Sequence, residues 1–124
     1  MTTARLAVAP LRLHGIRNCD TMKKARAWLD AAGVAHVFHD YSKAGIDRVS
    51  LERWCAILGW EALINRSGST FRKLAEADRI NLDQERAIAL MLAQPSLIRR
   101  PVAEGEGILL AGFKPEVYRR HFAD

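Results

Sequence analysis

The stretch Leu11-Arg12-Leu13-His14-Gly15-Ile16-Arg17-Asn18-Cys19-Asp20-Thr21-Met22-Lys23-Lys24-Ala25-Arg26-Ala27-Trp28-Leu29-Asp30-Ala31-Ala32-Gly33 decides the fold. Through its first five residues apolar and polar side chains alternate, the period of a half-buried strand. From Asp20 the period changes. Met22, Ala25, Leu29 and Ala32 stand three and four residues apart, and Gly33 sits where a helix C-terminus favours a left-handed residue. The segment reads as strand, short polar loop, helix. Residues 34–41, rich in Val, Phe, Tyr and His, follow as a second strand. A strand–helix–strand unit of this length favours a parallel pair with a right-handed crossover.

Working outward, Ser50 precedes a helix on which Leu51, Trp54, Cys55 and Leu58 form one apolar stripe closed by Gly59. The polar run Asn65-Arg66-Ser67-Gly68-Ser69-Thr70 caps a short helix around residues 71–77. Asn81 with Gln84 resembles a capping box for a helix carrying Ala87, Ile88, Met91 and Leu92, stopped by Pro95. Val102-Ala103 and Ile108-Leu109-Leu110 read as a hairpin around the turn Glu104-Gly105-Glu106-Gly107. A last helix starts near Pro115 and runs to about Phe122. The expected class is α/β: a mixed sheet of about four strands with a helical insertion, for which a thioredoxin-like core is the simplest known solution. One domain is expected over residues 1–124, with residues 1–10 as an N-terminal extension.

The composition is that of an ordinary globular domain, 49% hydrophobic and 27% charged. Nineteen Lys and Arg against fourteen Asp and Glu give +5, a surface that attracts anions. The basic residues come in pairs, such as Lys23-Lys24, Arg72-Lys73, Arg99-Arg100 and Arg119-Arg120, rather than in a tract. This is the pattern of solvated helix faces and argues against a nucleic-acid partner. No apolar run approaches the ~18 residues a membrane span needs, and no cleavage pattern follows the start, so a soluble cytoplasmic protein is expected. Two cysteines, Cys19 and Cys55, are too few for a disulfide framework and lack zinc spacing; no metal and no tightly bound cofactor are expected.

The two cysteines differ in setting. Cys55 lies on an apolar helix stripe and reads as core. Cys19 lies in the polar loop between strand and helix, where the N–H groups around Thr21 and Met22 can face its sulfur and favour the thiolate. Arg17 and Lys23 add positive charge and Asp20 opposes it. The expected thiol pKa is below the ordinary value of about 8.5.

Three separated motifs carry a family likeness: His-Gly-Ile-Arg-Asn-Cys-Asp-Thr-Met-Lys-Lys-Ala at 14–25, Ser-Leu-Ile-Arg-Arg-Pro-Val at 96–102 and Gly-Phe-Lys-Pro-Glu at 112–116. Together they resemble the ArsC/Spx group of arsenate-reductase-related proteins, closest to its YffB-like branch. The resemblance implies a thioredoxin fold with a helical insertion, Cys19 as nucleophile, and glutathione or glutaredoxin as the source of electrons. It further implies Arg100 as an anion-binding arginine, Arg72 as a second one, and a cis Pro101 facing the cysteine. Asn18 and Thr21, which flank Cys19, complete the expected thiol-binding set. The implied function is a glutathione-dependent thiol reductase acting on a small oxyanion or disulfide.

Three positions depart from the group's pattern. Arsenate reductases of this type carry a histidine where this chain has Gly15, and an arginine where it has Phe113. Spx regulators carry a second cysteine where it has Met22, so a switch between neighbouring cysteines is closed to this chain. Mixed disulfides with an external thiol remain the open chemistry. The alternative reading is a non-enzymatic, Spx-like module that docks on a partner such as RNA polymerase.

Overall fold

The computed structural model describes residues 9–122. The expected N-terminal extension therefore lies outside the described residues, except for Ala9 and Pro10. Two compact units emerge, one built from residues 9–39 and 100–122, the other from residues 40–99.

The first unit holds the sheet. Its elements are β1 (Leu11–Gly15), α1 (Asp20–Ala31), β2 (His36–Asp40, whose last residue opens the second unit), β3 (Val102–Gly105), β4 (Ile108–Ala111) and a C-terminal helix (Pro115–Phe122). The strand order is β2-β1-β3-β4. The N–H of Leu11, which opens β1, donates to the carbonyl of Ala35, just before β2, at 3.0 Å. The two strands thus start side by side and run parallel, with α1 as their crossover. β3 is antiparallel to β1, with Arg12 opposite Glu104 and Leu13 opposite Ala103. β3 and β4 form the hairpin, Gly105 pairing with Ile108. Its turn is Glu106-Gly107, with Gly107 at φ 73, and Glu104 belongs to the strand rather than to the turn expected for it.

Alternation along β1 sorts its side chains by face. Leu11 and Leu13 join Met22, Ala25 and Leu29 of α1, Ala103 and Tyr118 in one apolar core. Arg12 and His14 take the opposite face. Tyr118 is ringed by Trp28, Phe113 and Phe122, at centroid separations of 5.7, 4.8 and 5.4 Å. The apolar spacing of α1 thereby fixes that helix on the sheet.

The second unit is helical. It contains α2 (Tyr41–Ala44), α3 (Arg48–Leu58), α4 (Trp60–Leu63), α5 (Ser69–Arg72), α6 (Glu76–Arg79), α7 (Gln84–Ala93) and a 3-10 turn (Pro95–Leu97); the C-terminal helix of the first unit is α8. Leu51, Trp54, Leu63, Ile88, Met91 and Leu97 are buried. Three sequence expectations shift here. The cap of α3 is Asp47, whose carboxylate accepts from the Ser50 N–H at 2.9 Å; Ser50 lies inside the helix. The cap of α7 is Asp83, accepting from the Arg86 N–H at 2.9 Å, while Asn81 takes a left-handed turn at φ 53. In both cases an aspartate wins, three residues before the expected cap in α3 and two after it in α7, because its carboxylate bonds the free N–H three residues on. The single helix expected over 71–77 is two short ones, α5 and α6.

Candidate active site

β1 ends at Gly15, and a short turn leads into α1. Asn18 makes that turn at φ 63, a left-handed conformation that Asn tolerates better than most residues. Cys19 then stands in extended conformation at the N-cap position, and its carbonyl accepts the N–H of Lys23 at 3.0 Å, closing the first turn. The sulfur is half-buried and packs against the core of the first unit.

The electrostatics at the sulfur are a contest with a clear winner. Burial pushes the thiol pKa up. Against it act the N–H of Met22, the hydrogen-bonding and charge of the Arg100 guanidinium, and the N–H of Thr21, and together they hold the pKa below its ordinary value. The thiol makes no regular capping hydrogen bond, so the first-turn N–H groups act on it as oriented dipoles. The expected donors, Thr21 and Met22, are therefore at the sulfur. The cation is Arg100, brought by the loop before β3, where local spacing had pointed to Arg17 and Lys23.

Arg100 is half-buried and precedes Pro101, which is buried behind a cis peptide bond. The Pro101 carbonyl accepts the Gly112 N–H at 2.8 Å, tying this loop to the end of β4. Arg72, the other expected anion-binding arginine, is an exposed residue at the end of α5 in the second unit. Cys55 is buried on α3, where burial and the charge of Glu61 raise its pKa. Both cysteines are free thiols.

The histidine nearest Cys19 in sequence serves a different environment. His14 Nε2 lies 3.1 Å from Glu104 Oε1, and Arg12 Nη2 lies 3.3 Å from the same oxygen. The His39 ring meets His14 edge-on at 5.2 Å. Burial lowers the His14 pKa and outweighs the attraction of Glu104. Sequence reading missed this buried carboxylate because it placed Glu104 in a turn; the apolar Val102 two residues earlier was the available sign of a strand. His36 is turned to the Val34 carbonyl at 2.9 Å. Among the described residues no group of three or more His, Cys, Asp or Glu could hold a metal ion, and no helix is long and apolar enough to cross a membrane.

The chain matches the ArsC family model over residues 14–121. A solved structure of the YFFB (PA3664) protein superposes with a TM-score of 0.87 at 57% identity, covering 91% of this chain and 99% of that one. An arsenate reductase (ArsC) related protein from Brucella melitensis superposes with a TM-score of 0.76 at 50% identity, covering 93% and 96%. The global transcriptional regulator Spx of Streptococcus mutans is 29% identical over 104 residues, 82% of this chain and 75% of that protein. The thioredoxin-like fold with its four-stranded mixed sheet is common to the chain and these structural neighbours.

Proposed function

The chain belongs to the ArsC family, and from that membership we propose that it is a thiol oxidoreductase in which Cys19 is the sole nucleophile and glutathione, or a glutaredoxin, the electron source. One observation carries the reading: of two free cysteines, the one at the helix start has its pKa lowered by Arg100 and first-turn N–H groups, and the other is buried with its pKa raised. The Cys19 thiolate attacks one sulfur of a disulfide, forming a mixed disulfide and expelling the other sulfur as a thiolate. A second low-molecular-weight thiolate then attacks the mixed disulfide, restores the Cys19 thiolate and leaves as the new disulfide. A guanidinium binds a carboxylate or an oxyanion through paired hydrogen bonds, which gives Arg100 the role of holding an anionic thiol or substrate in the first unit and makes Arg72 a separate anion-binding candidate of the second. Asn18, Thr21 and Pro101 would frame that site.

The deciding experiment is the pH dependence of Cys19 alkylation by iodoacetamide in a Cys55→Ala background, with and without glutathione. The expected result is a midpoint below about 8.5 and protection by glutathione. A midpoint at or above that value, with no protection, removes the enzymatic reading and leaves an Spx-like docking module, for which this chain lacks the second cysteine at Met22.

A further inference from the structure

A glycine inside a strand weakens it, and its presence there often marks a close approach of something else. Gly15 is the last residue of β1 and is buried. It is absent from the residues with positive φ, so backbone conformation does not require a glycine. Space does. A Cβ built on Gly15 would collide with Met22 Sδ and would stand 2.7 Å from its Cε and 3.3 Å from its Cγ. Met22 itself is only 3% exposed and packed in the core of the first unit, so its thioether cannot swing out into solvent at little cost. Met22 is the third residue of α1, and its N–H is one of the groups directed at Cys19.

We propose that Gly15 is a positioning residue for Cys19: by lacking a side chain it leaves the Met22 thioether its place, so that no clash displaces the first turn of α1 and its N–H groups reach the sulfur. The inference rests on Cys19 being the reactive thiol. It explains why a side chain at the position after His14 would force the buried Met22 thioether to shift. It also makes positions 15 and 22 a coupled pair, since enlarging one is compatible with the site only if the other shrinks.

The test uses four proteins in the Cys55→Ala background: unaltered, Gly15→Ala, Met22→Ala, and the double variant. Each is scored for the alkylation midpoint of Cys19 and, separately, for thermal stability. Gly15→Ala is expected to raise the midpoint by about half a pH unit or more, roughly a threefold loss of thiolate where little of it is ionised. Met22→Ala keeps its backbone N–H and is expected to keep the midpoint while losing stability. The double variant regains the room and returns to the Met22→Ala midpoint while remaining less stable than the unaltered protein. That separation of thiol ionisation from stability is what a merely structural glycine would not produce. Gly15→Ala at the unaltered midpoint overturns the inference, whatever that midpoint is. Should Gly15→Ala fail to fold, a double variant whose midpoint lies above that of Met22→Ala overturns it as well. An ordinary midpoint in the unaltered protein counts instead against Cys19 as an activated nucleophile.

Discussion

The two units contain the same number of basic residues and use them differently. Residues 9–39 and 100–122 hold nine Lys and Arg against five Asp and Glu, whereas residues 40–99 hold nine against eight. In the second unit the arginines are occupied at home: Arg48 bonds Glu52 at 3.1 Å and Glu85 at 2.6 Å, and Arg86 donates to the carbonyls of Ala77, Ile80 and Asn81. In the first unit the surplus surrounds a sheet whose loops hold Cys19 and Arg100. The cysteines divide in the same way, one with a lowered pKa and one with a raised pKa. The net +5 is therefore local: the unit with Cys19 carries the field that would draw an anion, and the helical unit is close to neutral.

The most severe test of this division is loss of the thiol. Cys19→Ser should reduce glutathione-dependent turnover of a small disulfide to the uncatalysed rate, while Cys55→Ala retains it. Equal loss in both, measured on folded protein, would mean that the second unit takes part in the chemistry and that the division is wrong.

Next in size is a core deletion in the helical unit. Leu51 is fully buried on α3, so Leu51→Ala should cost about 2–5 kcal/mol in denaturant unfolding. Below the unfolding transition its Cys19 alkylation midpoint should stay where it is. A shifted midpoint would join the two units in one electrostatic problem.

The arginines sharpen the comparison further. Arg100→Ala removes the guanidinium beside the sulfur and should raise the alkylation midpoint by about one pH unit, roughly tenfold in thiolate at neutral pH. Arg72→Ala, in the second unit, should leave the midpoint unchanged. A midpoint that rises would break the division.

Most of the first unit was legible because its periods are clean. Leu11 to Gly15 alternates, Met22 to Leu29 repeats at helical spacing, and a polar loop between them marks Cys19 as something other than core. The parallel pairing followed from chain length and handedness alone. Arg100 as the sulfur's cation could not be read from local spacing, since 81 positions separate it from Cys19 and only the sheet brings β1 and β3 together; it entered through motif likeness. Glu104 was misplaced for a related reason: a charged residue beside two glycines reads as a turn unless its strand partner, Arg12, is known. In the second unit, helix starts slipped by two or three residues because Asp47 and Asp83 compete with Ser50 and Asn81 as caps, and propensity ranks these residue types nearly alike.

The smallest expected effect lies in the core that supports α1. Tyr118 is fully buried among Trp28, Phe113 and Phe122, and its hydroxyl has no hydrogen-bond partner among the described residues. Burial without a partner pushes its pKa well above the usual tyrosine value. A buried hydroxyl left unmade costs free energy that the ring's packing does not, so Tyr118→Phe should raise stability at pH 7 by on the order of 1 kcal/mol. The sign at alkaline pH follows from linkage. Above pH ~10 the unfolded chain releases the phenolic proton while the folded protein keeps it, so stability falls as pH rises from there towards the folded-state pKa. Tyr118→Phe removes that loss, and its advantage over the unaltered protein should widen above pH ~10 in denaturant titrations. A destabilised Tyr118→Phe with no such widening would mean that the hydroxyl is hydrogen-bonded in solution. The aromatic cluster behind Cys19 would then be wetter than its packing implies.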